Sequence, residues 1–309
     1  MQSDKQVPRS TGAEPVRSSP RPWVGPVIVL IAAACLAFGT ALAAVSFQHG
    51  ATPLSVLSYR TTLAFLVLAV FLAFSRRAEK LPWRLRLFCL GLGFIVAIYS
   101  FGLVGAIARI PLALAVLTFY LYPILVGIGA WATGQESMTW RKLAQLLIAF
   151  AGLALALNVG GGQLNLAGLA LAVMAAVTFA LLLLINGRIL QGRDSRPVTM
   201  HMLGMGAAIF WIADLTAGEF PLPETDIGMA AFIGAGIFYT FAIITLFRAV
   251  GMIGSVRVAL FMNFEPVTSV ALGILLLGQP MTGVQLAGAA LVILAIVWAA
   301  VPGRRAGVP

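Results

Sequence analysis

Ten apolar runs, each close to twenty residues long and separated by short polar breaks, leave this chain few folds to choose from. They extend roughly over residues 24–47, 54–74, 87–108, 112–133, 143–159, 167–186, 198–215, 227–247, 256–277 and 284–301. A helix of about 20 residues crosses the roughly 30 Å hydrocarbon core of a bilayer. In lipid, each backbone polar group must pair within a helix or a closed barrel, so the runs are expected to be helices. Burial inside a soluble protein fails on composition: 61% of the chain is hydrophobic and 10% charged, where a soluble domain carries about 25% charged residues. Folded surface shrinks too slowly with size to hide the difference. The seventh run is the weakest, because it holds His201 and ends near Asp214. Arg109-Ile110-Pro111 separates the third run from the fourth, with proline favouring a stop.

The charges test the count. Met1–Pro22 is polar, carries Lys5, Arg9, Arg17 and Arg21, and reads as a disordered cytoplasmic tail. The apolar run after it is too long for a cleaved signal peptide. With that tail inside, basic residues fall in alternate connections: Arg76, Arg77, Lys80, Arg84 and Arg86; Arg141 and Lys142; Arg188, Arg193 and Arg196; Arg248 and Arg257; then Arg304 and Arg305. Of the 20 Lys and Arg, only Arg60 and Arg109 break the alternation. The connection after the seventh run carries Glu219, Glu224 and Asp226 and no base. This is the positive-inside pattern. It predicts an all-α membrane protein with ten transmembrane helices and both termini cytoplasmic. It also accounts for the net charge of +10 without nucleic acid.

Several chemistries find no support. Cys35 and Cys89 sit in apolar runs as small buried residues, not as a disulfide framework. His49 and His201 are isolated, and no cluster of metal ligands or Ser/His/Asp set occurs at membrane depth, so neither a metal, a cofactor nor an enzyme activity is expected. Gly160-Gly161-Gly162 reads as a flexible link, since no lysine follows to make a phosphate loop.

The chain also echoes itself. At an offset of 143, eight of 39 positions between Ala106 and Ala144 are identical; Pro123 meets Pro266, and Met138-Thr139 meets Met281-Thr282. The offset lays span 4 on span 9 and span 5 on span 10. Five is odd, so the second half must sit inverted. Inverted repeats recur in transporters, with the substrate site near the midplane between halves. The expected division is a tail at 1–22, a first repeat at 23–160, a second at 161–302 and a tail at 303–309.

Leu121-Tyr122-Pro123 … Gly134-Gln135-Glu136-Ser137-Met138-Thr139 and its echo Phe264-Glu265-Pro266 … Gly278-Gln279-Pro280-Met281-Thr282 resemble the drug/metabolite transporter superfamily, EamA type. The resemblance covers nearly the whole chain. It implies two five-span repeats in a bacterial inner membrane and export of small amphiphilic metabolites, often amino acids. The family pattern has a proline in the fourth helix of each half, a Gly-Glu about a dozen residues on, and a polar residue opening the fifth helix. Glu136 fits with one residue inserted, and the second copy has Gln279 in place of glutamate. Arg60, after Pro53, matches a common arginine of the family.

Residues near the bilayer centre are the candidates for binding, since a charge there costs about 2.5–3.5 kcal/mol on insertion scales. Glu265 lies ten residues into span 9, roughly 15 Å from its start at about 1.5 Å per residue. Met262, Thr268 and Ser269 share its helical face. The rival reading makes Glu265 a structural partner for backbone loosened by Pro266. Tyr122, its repeat counterpart, is expected at the same depth with Thr118, Phe119 and Val126. Arg60 reads first as an anchor toward the outer interface, and second as a partner for an anion. Tyr99 with Ser100 and Tyr239 with Thr240 complete the cavity candidates, and Trp211 reads as an interfacial residue. The expected function is alternating-access export of a small solute, with exchange of a proton through Glu265 left open. An importer or passive facilitator of the same fold, or a membrane scaffold or lipid-handling protein without flux, stand as alternatives.

Overall fold

The computed structural model describes residues 23–75, 79–107, 109–110, 112–157, 165–218, 220–277 and 282–301. The N-terminal tail, Pro111, the Gly160–Gly162 link, Gln279 and the tail from 303 lie outside the described residues.

Twelve helices and no strand occur among those residues. They are α1 (Val24–Gln48), α2 (Pro53–Phe74), α3 (Trp83–Ile107), α4 (Leu112–Phe119), α5 (Tyr122–Ala132), α6 (Trp140–Ala156), α7 (Leu166–Ile189), α8 (Ser195–Ala217), α9 (Asp226–Ile253), α10 (Ser255–Phe261), α11 (Phe264–Leu277) and α12 (Gly283–Ala300). Eight stretches are long and apolar enough to cross a membrane, with most of α4 and α5 counted as one. The 17-residue α6 and the α10–α11 pair fall outside that measure. Large apolar side chains such as Phe71, Phe74, Phe101 and Leu215 stay exposed. A water-soluble surface does not carry so many, so this is a multi-pass membrane protein.

Polar caps set the helix starts. Thr52, Thr139, Asn165, Asp194, Thr225 and Thr282 each accept a backbone N–H from the first turn of the helix they precede. The repeated Met-Thr thereby gains a physical meaning: Thr139 and Thr282 cap the last helix of each half. Asp194 is also gripped by Arg196 through bonds of 2.5–2.9 Å, beside an Arg193–Glu79 pair at 3.2 Å. Burial alone would raise the Asp194 carboxyl, but the Arg196 bonds and charge outweigh it and hold it below the usual range. A carboxyl lowered on folding adds stability above its unfolded pKa, and that stability is lost as pH falls through the lowered value. Asp194→Ala is therefore expected to cost about 1 kcal/mol at neutral pH through the lost cap. In thermal unfolding the gap to the parent should narrow in acid.

The seventh span is a full helix, α8, despite the polar residues that weakened it in sequence. His201 Nδ1 lies 2.7 Å from the Pro197 carbonyl of its own helix, and the buried Asp214 accepts a hydrogen bond from Ser58 of α2. Trp211 donates to Thr62 at 2.8 Å. Its indole N–H thus serves the α2–α8 contact, and the residue is exposed.

The packing has two-fold pseudo-symmetry. With α1, α2, α3, α4–α5 and α6 exchanged for α7, α8, α9, α10–α11 and α12, the α1–α9 contact becomes α7–α3, α2–α9 becomes α8–α3, and α1–α11 becomes α7–α5; all of these occur. The pairs α2–α8 and α6–α12 map onto themselves. Both run antiparallel: Ser58, early in α2, meets Asp214, late in α8, and Arg141 at the start of α6 bonds the Trp298 and Val301 carbonyls at the end of α12. Corresponding helices therefore point in opposite directions, as two inverted repeats require.

Candidate functional site

Spans 4 and 9 were expected as continuous helices; both are broken. The helix stops at Tyr120-Leu121 in one half and at Met262-Asn263 in the other, and restarts at α5 and α11. Pro123 and Pro266 explain the position. A proline ring clashes with the carbonyl four residues back and offers no N–H, so it is tolerated only in the first turn of the new segment. Loosened carbonyls need new donors. Asn263 supplies one, its Nδ2 lying 3.2 Å and 3.0 Å from the Ala259 and Leu260 carbonyls.

The two breaks face each other. The Tyr120 hydroxyl donates to Glu265 Oε2 at 3.0 Å, tying the break of one half to the break of the other. Tyr122 is the repeat counterpart of Glu265, expected at the same depth. Tyr122 is 1% exposed, with a hydroxyl that has no partner among the described residues. Tyr120 was missed because two residues along a continuous helix put it on the opposite face from Tyr122; the break cancels that rule. Around the carboxylate stands an aromatic cluster. Tyr122 lies 5.4 Å from Tyr120, 5.3 Å from Phe119 and 4.8 Å from Phe179, centroid to centroid, and Tyr99 lies 4.9 Å from Phe179. Phe179, on α7, also escaped the sequence reading, since nothing in an apolar run marks one phenylalanine among its neighbours.

Arg60 does not turn out toward the interface. Its guanidinium lies over the Tyr239 ring, 4.3 Å from the centroid, and its Nε is buried without a partner among the described residues. Tyr239, 4% exposed, neighbours Tyr99, which links this cation to the aromatic cluster. Thr268 contributes less than expected, because its hydroxyl donates to the Phe264 carbonyl of its own helix at 2.9 Å. Thr240 likewise bonds the Gly236 carbonyl at 2.8 Å. Ser269 is half-buried and makes no side-chain bond within the described residues. Glu265, Arg60, Tyr99 and Phe119 are each only partly buried.

Glu136 lies elsewhere, at the end of the molecule that carries Arg141 and Arg257. Its carboxylate accepts from Lys142 Nζ at 2.9 Å. It also reaches across to the α9–α10 turn, where a Cβ on Gly254 would sit 2.6 Å from Glu136 Oε1. Gly254 has φ +84°, so a side chain there is strained twice over. No group of three or more His, Cys, Asp or Glu able to hold a metal occurs among the described residues.

Comparison with known proteins agrees with this architecture. The EamA-like transporter family matches the chain twice, over residues 23–158 and 166–301. The threonine/homoserine exporter RhtA of Escherichia coli (strain K12) is 27% identical over 85% of this chain and 87% of that protein. The RhtA of Salmonella typhimurium (strain LT2) is 27% identical over 97% of each. The match to YvbV, an uncharacterized transporter of Bacillus subtilis, is 27% identical and spans 60% of this chain and 62% of that one. A crystal structure of 21% identity superposes with TM-score 0.73 over 88% of this chain and 97% of the other, and shows the shared fold. With the family present in each half and two inverted repeats meeting at broken helices, the chain belongs to the EamA-like transporter family.

Proposed function

We propose that this protein exports small hydroxylated amino acids across a bacterial inner membrane by alternating access. In this reading the halves, residues 23–160 and 161–302, rock about the paired breaks. Ten spans result when α4–α5 and α10–α11 each count as one, with both termini cytoplasmic as the basic connections require.

The observation that carries the reading is the Tyr120–Glu265 bond between the two helix breaks. A zwitterion needs an anion and a cation on opposite sides. Glu265 and the surrounding ring faces attract the ammonium group. Arg60, over Tyr239, offers its free guanidinium N–H groups to the carboxylate. The unpartnered Tyr122 hydroxyl suits a side-chain hydroxyl of the substrate, as threonine and homoserine, the cargo named for RhtA, both carry. A closed scaffold has no use for a carboxylate, a guanidinium and an orphan hydroxyl gathered between two halves.

The test is counterflow of labelled threonine and homoserine into proteoliposomes of the purified chain, with alanine and lysine for comparison. Arg60→Gln is expected to raise KM about tenfold or more, the loss that follows one charge-assisted bond. Arg60→Lys should recover only part of it, since an ammonium cannot form the planar fork. Counterflow of none of these amino acids by the native chain would sink the proposal. Sidedness in inverted vesicles separates export from import.

A further inference from the structure

At the end where α1 begins and α12 stops lies a cavity with a basic rim, whose inner wall at Leu260 and Phe261 adjoins the break at Met262-Asn263. It holds about 380 Å3 and sits between α1, α6, α10 and α12. Thr139, Arg141, Lys142 and Arg257 line its rim, and its lining residues include no Asp or Glu. The nearest acid, Glu136, is already bonded to Lys142. Arg141 donates from Nη2 to the Trp298 and Val301 carbonyls at 2.9 Å and 2.7 Å, while its buried Nε has no partner among the described residues and its charge is uncompensated. Arg257 is exposed and takes part in no ion pair among the described residues. The cavity therefore keeps a surplus of two positive charges.

Its polarity changes with depth. One helical turn below the rim the wall becomes Leu146, Leu260 and Phe261, with the buried amide of Gln145 between the two levels. Trp140 and Trp298, 79% and 38% exposed, flank the rim, where amphipathic rings settle at headgroup level. A soluble anion would use the rim and leave the apolar wall idle; a phospholipid uses both.

We propose that this cavity binds an anionic phospholipid, its phosphate held between Arg257, Arg141 and Lys142 and the first part of an acyl chain lying against Leu260 and Phe261. Basic pockets between spans at the positively charged end recognise such headgroups. The site is independent of the cargo assigned above: a chain that carried no amino acid would still bind the lipid.

Native mass spectrometry of the purified full chain, titrated with phosphatidylglycerol and with phosphatidylcholine of identical acyl chains, tests this. The expected result is preferential retention of one phosphatidylglycerol, weakened about fivefold in Arg257→Gln, the effect of one basic charge near the surface. Arg257 makes no side-chain bond within the described residues, so its loss leaves the fold intact. Arg84→Gln removes an exposed arginine at the start of α3 and should leave retention unchanged. Equal retention of both lipids overturns the proposal. So does an equal loss in Arg84→Gln and Arg257→Gln, which marks diffuse attraction. Displacement of phosphatidylglycerol by inorganic phosphate overturns it in favour of a soluble-anion site.

Discussion

Glu265→Gln is expected to lower threonine counterflow by about ten- to a hundredfold while leaving thermal stability near that of the native chain. The substitution keeps the size of the side chain and an oxygen for the Tyr120 hydroxyl to donate to. It removes the negative charge. A bond between charged groups is worth about 1.5–3 kcal/mol, which sets the size of the loss if the carboxylate receives the substrate ammonium. Tyr120→Phe asks a different question. It keeps the charge but leaves one carboxylate oxygen without its donor, so the break in span 4 loses its tie to the break in span 9. A smaller loss is expected there, severalfold. The double variant should be little worse than Glu265→Gln alone, because residues joined by one bond are not additive. Flux measured with and without a pH gradient then decides whether Glu265 also exchanges a proton. Full-rate counterflow by Glu265→Gln would remove the carboxylate from the binding site and leave the structural reading of it.

The second large effect is on assembly. Gly152 of α6 faces Gly288 of α12 at backbone contact: a Cβ on Gly152 would lie 2.8 Å from the Gly288 carbonyl oxygen and 2.9 Å from the Val292 nitrogen. Backbone atoms cannot swing aside. Gly152→Ala must therefore push the helices apart, at a cost of about 1–3 kcal/mol for overpacking. Gly152→Leu should separate α6 from α12 and abolish the monodisperse peak in size-exclusion chromatography. The control is Gly91→Leu on α3, where an added Cβ meets nothing within 4 Å. It should run as the native chain does. Equal behaviour of the two leucine variants would show that the α6–α12 contact does not hold the halves together. Small residues at such crossings let membrane helices approach without a hydrophobic force between them.

Other helix glycines also serve helix contacts, with side chains as neighbours. Gly204 faces Phe65, Gly206 faces Val96 and Thr61, Gly234 faces Leu42, and Gly236 faces Tyr59. A ring or methyl can rotate away, so substitutions there should cost less than at Gly152.

The sequence by itself determined the class of fold, its two-fold repetition and the polar residues worth suspecting. Apolar length is a local property, and lipid leaves the backbone one local solution, so the helices could be read off the chain. Pro123 and Pro266 marked the two special spans for the same reason: a missing N–H acts within a few residues of itself. Thr139 and Thr282 were legible as openers of the last helices because a cap also acts locally.

What only the tertiary structure decided was partnership. Tyr120, and not Tyr122, meets Glu265, because the helix break resets the phase that sequence spacing assumes. Arg60 lies over Tyr239, nearly 180 positions away in the chain, and so turns inward rather than toward the interface. Phe179 joins the aromatic cluster only because α7 packs beside α5. Asp214, a mark against span 7 in the sequence, is accommodated by Ser58 across the α2–α8 contact. Each of these depends on how two inverted halves dock, and docking is fixed by long-range contacts between residues that carry no local sign of one another.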